Sequence, residues 1–318
     1  MKEVIVQSND AGQRLDRFLQ KAFPDLKKSM MYKALRNKKI KVNRKRASFD
    51  QKLEEGDVIL LFLPEDALIM KNEKQASGSD RNRKTSVDNR PDPSLKIKVI
   101  YEDDDLLVVN KPAGLLSQKD SGQDQDTLAD QIISHLEEEG SYDPAKELSF
   151  VPAAVSRLDR NTSGLCAAGK NARSLRDLNE CVRDHTLQKY YLAEAKGILE
   201  QDFYDLHLFL KKEENKAVIT EHHSENSVPA DLEIRVLERK KDSTLIEVML
   251  KTGRFHQIRA TLAWLGHPLI GDHKYGYKGK ENFQHLSAYR LDFSKTPFAG
   301  QVREVRLPVR DITWFKSE

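Results

Sequence analysis

The sequence predicts an α+β fold, and three observations carry the prediction. Segments of helical period and short β-branched runs are intermixed along the 318 residues, without the regular alternation of a doubly wound sheet. Hydrophobic residues make up 38% of the chain and charged residues 32%, so the protein is polar yet long enough for two domains and a sizeable core. A stretch from Glu65 to Ser94, poor in apolar residues and rich in turn formers, separates a short part from a long one. The expected domains are therefore 1–64 and 95–318, with 65–94 as an exposed linker. No internal repeat is evident.

In the first part, Gln13–Ala22 reads as a helix with Leu15, Phe18 and Leu19 on one face. Ser29 reads as the N-cap of a second helix, Met30–Asn37. Ile40–Asn43 alternates as a strand. Glu55-Gly56-Asp57 is a turn before a buried strand, Val58–Leu63, which Pro64 ends. In the second part, Leu106–Val109 is a continuous apolar run and reads as a buried strand. Thr127 caps a helix through Glu139 that Gly140 terminates, with Leu128, Ile132, Ile133 and Leu136 on one side. Asn171–Asp184 is another helix. Tyr191–Ala195, Leu232–Leu237 and Leu245–Leu250 read as strands, and His256–Leu265 as a last helix stopped by Gly266.

Charge and cysteine content narrow the function. Net charge is +3, but residues 1–64 hold 15 basic and 8 acidic side chains, so that part alone carries +7. From Lys27 to Arg46, ten of twenty residues are basic and none is acidic. Such a cluster is either a solvated helical face or a phosphate-backbone contact, and the complete absence of acids favours nucleic acid. Cys166 and Cys181 lack metal-like spacing, and two free thiols suit a reducing cytosol. No apolar run is long enough to span a bilayer, and Met-Lys-Glu-Val-Ile lacks a signal-peptide pattern, so a cytoplasmic protein is expected.

Four strings stand out. Asn110-Lys-Pro-Ala-Gly-Leu115 follows a strand directly. Ser156-Arg-Leu-Asp-Arg-Asn-Thr-Ser-Gly-Leu165 puts Asp159 between Arg157 and Arg160 before a Thr-Ser-Gly turn. Guanidiniums close by favour an ionised carboxylate, which can serve as nucleophile, ligand or half of an ion pair. The tripeptide Arg-Leu-Asp decides nothing, since it recurs at Arg14–Asp16 and Arg290–Asp292. Lys189-Tyr-Tyr-Leu-Ala193 is the third string. Thr252-Gly-Arg-Phe-His-Gln-Ile-Arg259 is the fourth, continuing into Leu265–Asp272 and Tyr275-Gly276. Plainer roles exist: Tyr191 as a core tyrosine, and Arg254 and His256 as stabilisers of the turn or as phosphate contacts. His222-His223 reads as a surface pair, and neither His267 nor His273 has a ligand pattern, so no metal site is expected.

Taken in this order, the four strings resemble the RluA family of RNA pseudouridine synthases. Residues 13–18, 29–36, 41–46 and 53–57 resemble the S4 RNA-binding domain. The resemblance implies a small S4-like domain followed by a catalytic domain whose mixed, largely antiparallel sheet is flanked by helices. It implies isomerisation of uridine in RNA, a reaction with no redox change and no phosphate activation, for which no cofactor is expected. It makes Asp159 the catalytic carboxylate and Arg259 its ion-pair partner, the guanidinium fork orienting both oxygens. Tyr191 is expected against the uracil ring. Arg157 is expected to contact RNA as the target nucleotide leaves its helix. RNA contacts of the first domain are expected from Lys27, Lys28, Lys38, Lys41, Arg44, Lys45 and Arg46. Ser156 stands where many members have His, and Leu116-Ser-Gln118 replaces a common Val-His, which touches pocket packing rather than the nucleophile. Similarity to the RluC-type branch implies 23S ribosomal RNA as substrate for a monomeric enzyme. A tRNA synthase, or a non-catalytic RNA-binding or ribosome-assembly factor on the same scaffold, is the alternative.

Overall fold

The computed structural model describes residues 1–70, 95–119 and 126–315. Of the linker expected over 65–94, residues 71–94 lie outside the described residues. The chain divides into two compact units: Met1–Arg90 with Ile133–Ala153 and Lys170–Leu175, and Pro91–Ile132 with Ala154–Gly169 and Arg176–Glu318. Among the described residues no helix is long and apolar enough to cross a membrane.

The first unit holds strand β1 (Lys2–Ile5), helices α1 (Leu15–Ala22) and α2 (Lys28–Arg36), and strands β2 (Ile40–Val42), β3 (Lys45–Arg46) and β4 (Val58–Leu61). The strands form an antiparallel sheet in the order β1-β4-β2-β3. Leu15, Phe18 and Leu19 are fully buried against Phe23, Met31, Ile40, Ile59 and Leu61, so the predicted face of α1 is the core face. Helix α1 starts two residues later than expected because Gln13 and Arg14 bond to Leu53 and Lys52 instead. Ser29 is not an N-cap: α2 begins at Lys28, and its cap residue Lys27 makes no side-chain capping bond. The β2–β3 turn puts Asn43 (φ 50) and Arg44 (φ 63) in the left-handed region, the pairing a two-residue hairpin turn requires. Asp16 pairs with Arg14 through two hydrogen bonds of 3.1 and 2.8 Å and is structural. Buried Asp10 accepts from the backbone and hydroxyl of Ser149, and Asn9 donates to Glu147, which fastens the N-terminal segment to residues 147–149.

Further along come β5 (Lys98–Glu102), β6 (Leu106–Lys111), helix α3 (Leu128–Glu138), β7 (Ala153–Ala154), β8 (Ser163–Gly169), helix α4 (Ala172–Arg183) and β9 (Gln188–Lys196). Then follow β10 (Phe203–Glu213), β11 (Lys216–Thr220), β12 (Ser227–Arg239), β13 (Ser243–Leu250), helix α5 (Gln257–Trp264), β14 (Leu286–Asp292) and β15 (Glu304–Arg306). Thr127 and Asp130 bond reciprocally across the first turn of α3, and Gly140 at φ 73 ends it, as the sequence predicts.

The second unit is built on one mixed sheet, in the order β11-β10-β12-β13-β9-β14-β8-β6-β5, with β15 beside β14. Among the described residues, every pairing along that order, and that of β15, is antiparallel except β14 with β8. Leu106–Val109 on β6 are completely buried, as a continuous apolar run demands. With five helices among the described residues, this is the α+β architecture expected, with a mixed and largely antiparallel sheet. The parallel β14–β8 pairing aligns Ser163 with Ser287 and Gly164 with Ala288. A Cβ on Gly164 would lie 2.3 Å from the Ala288 carbonyl oxygen, so the Thr-Ser-Gly string needs its glycine for this close approach.

Candidate active site

Asp159 stands on the tight turn that enters β8, closed by the Thr162 amide donating to the Asp159 carbonyl at 3.1 Å. The Asn110–Leu115 string lies beneath this turn and explains why the two strings belong together. Lys111, with no exposed surface, donates to the carbonyls of Pro112, Leu115 and Arg160 at 3.0, 2.7 and 3.2 Å. Gly114 and Arg160 exchange further bonds, and Ser117 Oγ clasps Leu158 through both its carbonyl and its amide. Burial pushes the Lys111 amine down to about 8, partly opposed by Cys166 and Asp159. A cation held only by carbonyls thus knits loop 111–117 to the Asp159 turn.

The flanking arginines do not serve as the partners their sequence positions suggest. Arg160 is exposed and its Nε donates to Gly114, and Arg157 is exposed at the pocket wall. Neighbours on a tight turn point apart, so adjacency in sequence is a poor guide to pairing. The partner is Arg259 on α5, 100 residues away, whose Nη1 donates to Asp159 Oδ2 at 2.8 Å. The expected two-pronged grip on Asp159 is not observed. The fork goes to Asp272 instead: Nε donates to Oδ2 at 2.7 Å and Nη2 to Oδ1 at 2.9 Å. Asp272 is 1% exposed, and Gln284, with its amide oxygen turned to the guanidinium, accepts from Nη2 at 2.9 Å. Burial alone would lower the Arg259 pKa; the carboxylates of Asp272 and Asp159 outweigh it and hold it raised. Arg259 is therefore clamped by Asp272 and offers its remaining edge to Asp159.

Tyr191 is on β9, opposite Val248 and Ala288, and lines the same narrow pocket as Asp159, Thr162, Leu250, Arg254, His256 and Arg259. Burial first, then Cys166 and Asp159, push its phenol well up, so it is a neutral hydroxyl at physiological pH. Within Thr252–Arg259, Gln257 closes the turn into α5. Its amide accepts from Thr252 Oγ1 and from the Arg254 amide, both at 3.0 Å, and donates to the Asp231 carbonyl. Arg254 donates to the Pro229 carbonyl and is exposed at the pocket rim. A larger cavity, about 1050 Å³, lies on the other side of the Asp159 turn beside Asn110, Arg160 and Trp314. Size does not designate the site; the clustered carboxylate, guanidinium and phenol do. Among the described residues, no group of three or more His, Cys, Asp and Glu is placed to hold a metal ion.

The basic residues of the first unit are separate from this cluster in sequence and are open to solvent. Lys27, Lys28, Lys38, Arg44, Lys45 and Arg46 are exposed and Lys41 is half-buried. Lys38 and Arg44 hold positive φ, which carries a strain of about 1 kcal/mol each. Asp272 and Gln284 were not singled out by the sequence as partners of Arg259. The signal for Asp272 was its place at the end of Leu265–Asp272, the continuation of the fourth string.

Comparison with known proteins identifies the family. A family described as RNA pseudouridylate synthase matches residues 105–264, which hold all of Asp159, Tyr191 and Arg259. Ribosomal large subunit pseudouridine synthase C of Vibrio cholerae serotype O1 is 31% identical over 271 residues, covering 85% of this chain and 79% of that protein. Its counterpart in Vibrio vulnificus is 30% identical over 313 residues, covering 96% and 92%. The solved structure of human RNA pseudouridylate synthase domain containing 1 shares the fold, with a TM-score of 0.55 at 23% identity over 69% of this chain and 86% of that one. With a family match over half its length and relatives aligned over most of both chains, the chain belongs to the RNA pseudouridylate synthases, in the RluA family, and is an RNA pseudouridine synthase.

Proposed function

We propose that this enzyme isomerises uridine to pseudouridine in 23S ribosomal RNA, with Asp159 as its catalytic carboxylate and no cofactor. The observation that carries the reading is the Asp159–Arg259 pair at the wall of a pocket that Tyr191 also lines. Relatives over most of the chain are named for the large ribosomal subunit, which supports that RNA over tRNA. The reaction conserves every atom. The N1–C1′ bond breaks with its electron pair on uracil, while an Asp159 oxygen attacks C1′ or supports the departing anion. The base turns and C5 bonds to C1′, releasing the Asp159 oxygen with the O–C1′ electron pair where that bond had formed; C5 then loses its proton and N1 gains one. No electrons are exchanged, which is why no redox group is needed.

Arg259 keeps the carboxylate ionised and aimed. Tyr191 provides a planar neutral surface against which the detached base turns. Arg157, exposed at the pocket wall, fills the gap left when the uridine leaves its helix, a step worth a few kcal/mol of unstacking and unpairing. Residues 1–64 act as an S4-like RNA-binding domain, and the exposed cations of Lys27–Arg46 contact phosphates. A monomer working in the cytoplasm needs nothing more. Mapping pseudouridines in all rRNA and tRNA from a strain lacking the protein tests the substrate. Loss confined to 23S rRNA is expected. Loss confined to tRNA overturns the ribosomal assignment, and an unchanged map overturns catalysis.

A further inference from the structure

His256 precedes α5 in a conformation that a β-carbon disfavours. Its φ of 54 is left-handed, and its carbonyl nevertheless accepts the first helical bond, from Ala260 at 2.9 Å. A strain of this kind persists only where surroundings over-determine it, and such residues gather at working sites. Here the surroundings are explicit. Phe255 stacks on the imidazole with ring centroids 3.7 Å apart, Tyr275 meets it edge-on, and its side chain is only 8% exposed. Nε2 faces Asp159 Oδ2 at 3.5 Å, and Nδ1 lies 2.9 Å from the Tyr275 hydroxyl.

The Tyr275 hydroxyl decides which imidazole nitrogen carries the proton. The Ala217 amide on β11 donates to that oxygen at 2.7 Å, and an amide cannot accept. The hydroxyl has one proton, and Nδ1 is the partner for it. His256 Nδ1 therefore accepts, and Nε2 holds the ring's proton toward Asp159. The opposite tautomer would set a lone pair against the carboxylate and make the Tyr275 oxygen take both the Nδ1 and the Ala217 protons, turning its own proton away from its nearest acceptor. The ring is also uncharged. Burial lowers its pKa to about 4, Asp159 and Asp272 raise it, and Arg259 and Lys274 lower it. The N-terminal end of α5 adds to the penalty on a positive ring.

We propose that His256 is a positioning residue, fixed by Tyr275 as the Nε2–H tautomer, so that it and Arg259 both address Asp159 Oδ2 and leave Oδ1 to meet the substrate. The assignment rests on Asp159 being the catalytic carboxylate. Among the described residues no hydrogen bond reaches Oδ1, whereas Oδ2 has Arg259 at 2.8 Å and His256 at 3.5 Å. The longer contact exceeds an ordinary hydrogen bond, and such contacts tighten when substrate closes a site. Fixing one oxygen with a cation and a neutral donor prevents the carboxylate from rotating, while the second oxygen keeps its lone pairs. The relay Ala217–Tyr275–His256–Asp159 also ties the position of β11 to the orientation of the carboxylate.

Tyr275→Phe isolates the hydroxyl, because the ring that supports His256 and lies 5.0 Å beneath Arg259 is kept. The full-length enzyme, labelled with nitrogen-15 histidine and assigned with His256→Gln, reports the tautomer directly. The expected spectrum has His256 protonated at Nε2, bare at Nδ1, and neutral from about pH 7 to about pH 5, above its pKa of about 4. In Tyr275→Phe that preference is lost, and the single-turnover rate on saturating target RNA falls about tenfold, the worth of one hydrogen bond, with RNA affinity unchanged. A wild-type spectrum showing protonated Nδ1 or a charged ring at about pH 7 overturns the proposal. So does a folded Tyr275→Phe enzyme with the wild-type rate. The tautomer is read without any turnover, so an error in assigning Asp159 is distinguishable: an active Asp159→Asn enzyme would refute that assignment and leave the spectrum as it is.

Discussion

Asp272→Asn separates the clamp on Arg259 from the chemistry at Asp159. The substitution keeps the volume of a side chain that is 1% exposed. It removes one of two charge-assisted acceptors and turns an NH₂ group toward a guanidinium that has only protons to offer. Breaking a buried ion pair from one side destabilises by about 3–5 kcal/mol, less than the roughly 5–15 kcal/mol that holds most domains together. The variant should therefore fold, with a lower denaturation midpoint and an unchanged denaturant slope. Arg259 then keeps Asp159 as its principal charged partner and loses the geometry that aims its Nη1. If the misalignment is worth one charge-assisted hydrogen bond, about 1.5–3 kcal/mol, the chemical step slows by about 10- to 100-fold. Tritium release from 5-tritiated uridine, with enzyme in excess over RNA, reads that step, and filter binding reads affinity. A normal single-turnover rate in a destabilised variant would show that Asp272 holds the fold and nothing more.

Arg259→Lys keeps the charge but cannot hold Asp272 with two prongs and reach Asp159 as well, so turnover at saturating RNA should fall much more than binding. Lys111 has a folded-state pKa of about 8 against 10.5 in the unfolded chain. The unfolded state binds more protons between those values, so this group's contribution makes stability rise with pH across that window, by about 3 kcal/mol in all. Urea titrations of wild type and Lys111→Met should diverge by that pH dependence, and parallel curves would contradict it. Neutralising Lys38, Lys41, Arg44 and Arg46 together, with Asn at the two positive-φ positions, should weaken RNA binding and lower its salt slope by about 0.7–0.9 for each phosphate no longer neutralised. The single-turnover rate at saturating RNA should stay the same.

What the sequence made legible were features with local physical causes. Continuous burial at Leu106–Val109, the capping of α3 by Thr127 and the stop at Gly140 all depend on residues a few positions apart. The β10–β11 hairpin was less visible: Leu206 and Leu208 alternate with Asp205 and His207, but Phe209 breaks the alternation and charged residues follow. Ser29 misled because a good capping residue does not cap when the helix starts two residues earlier. At the site, Asp159, Tyr191 and Arg259 were recognisable as members of strings, and the structure places all three on one pocket. Their supports were not. The Asp272 clamp, the Lys111 anchor and the Tyr275–His256 relay join residues from different turns, and only the folded chain brings them together.

Everything proposed for the reaction depends on one carboxylate, Asp159, acting at C1′ as the glycosidic bond breaks. The most direct test is tritium release from 5-tritiated uridine in target RNA by Asp159→Asn, beside Asp16→Asn. Asp16 shares the Arg-Leu-Asp tripeptide but pairs with Arg14 in the first unit, so its loss should reduce activity at most through stability. The expected result is no release above background from Asp159→Asn with RNA affinity and fold retained, and near-normal release from Asp16→Asn. Near-normal release from Asp159→Asn would contradict the account.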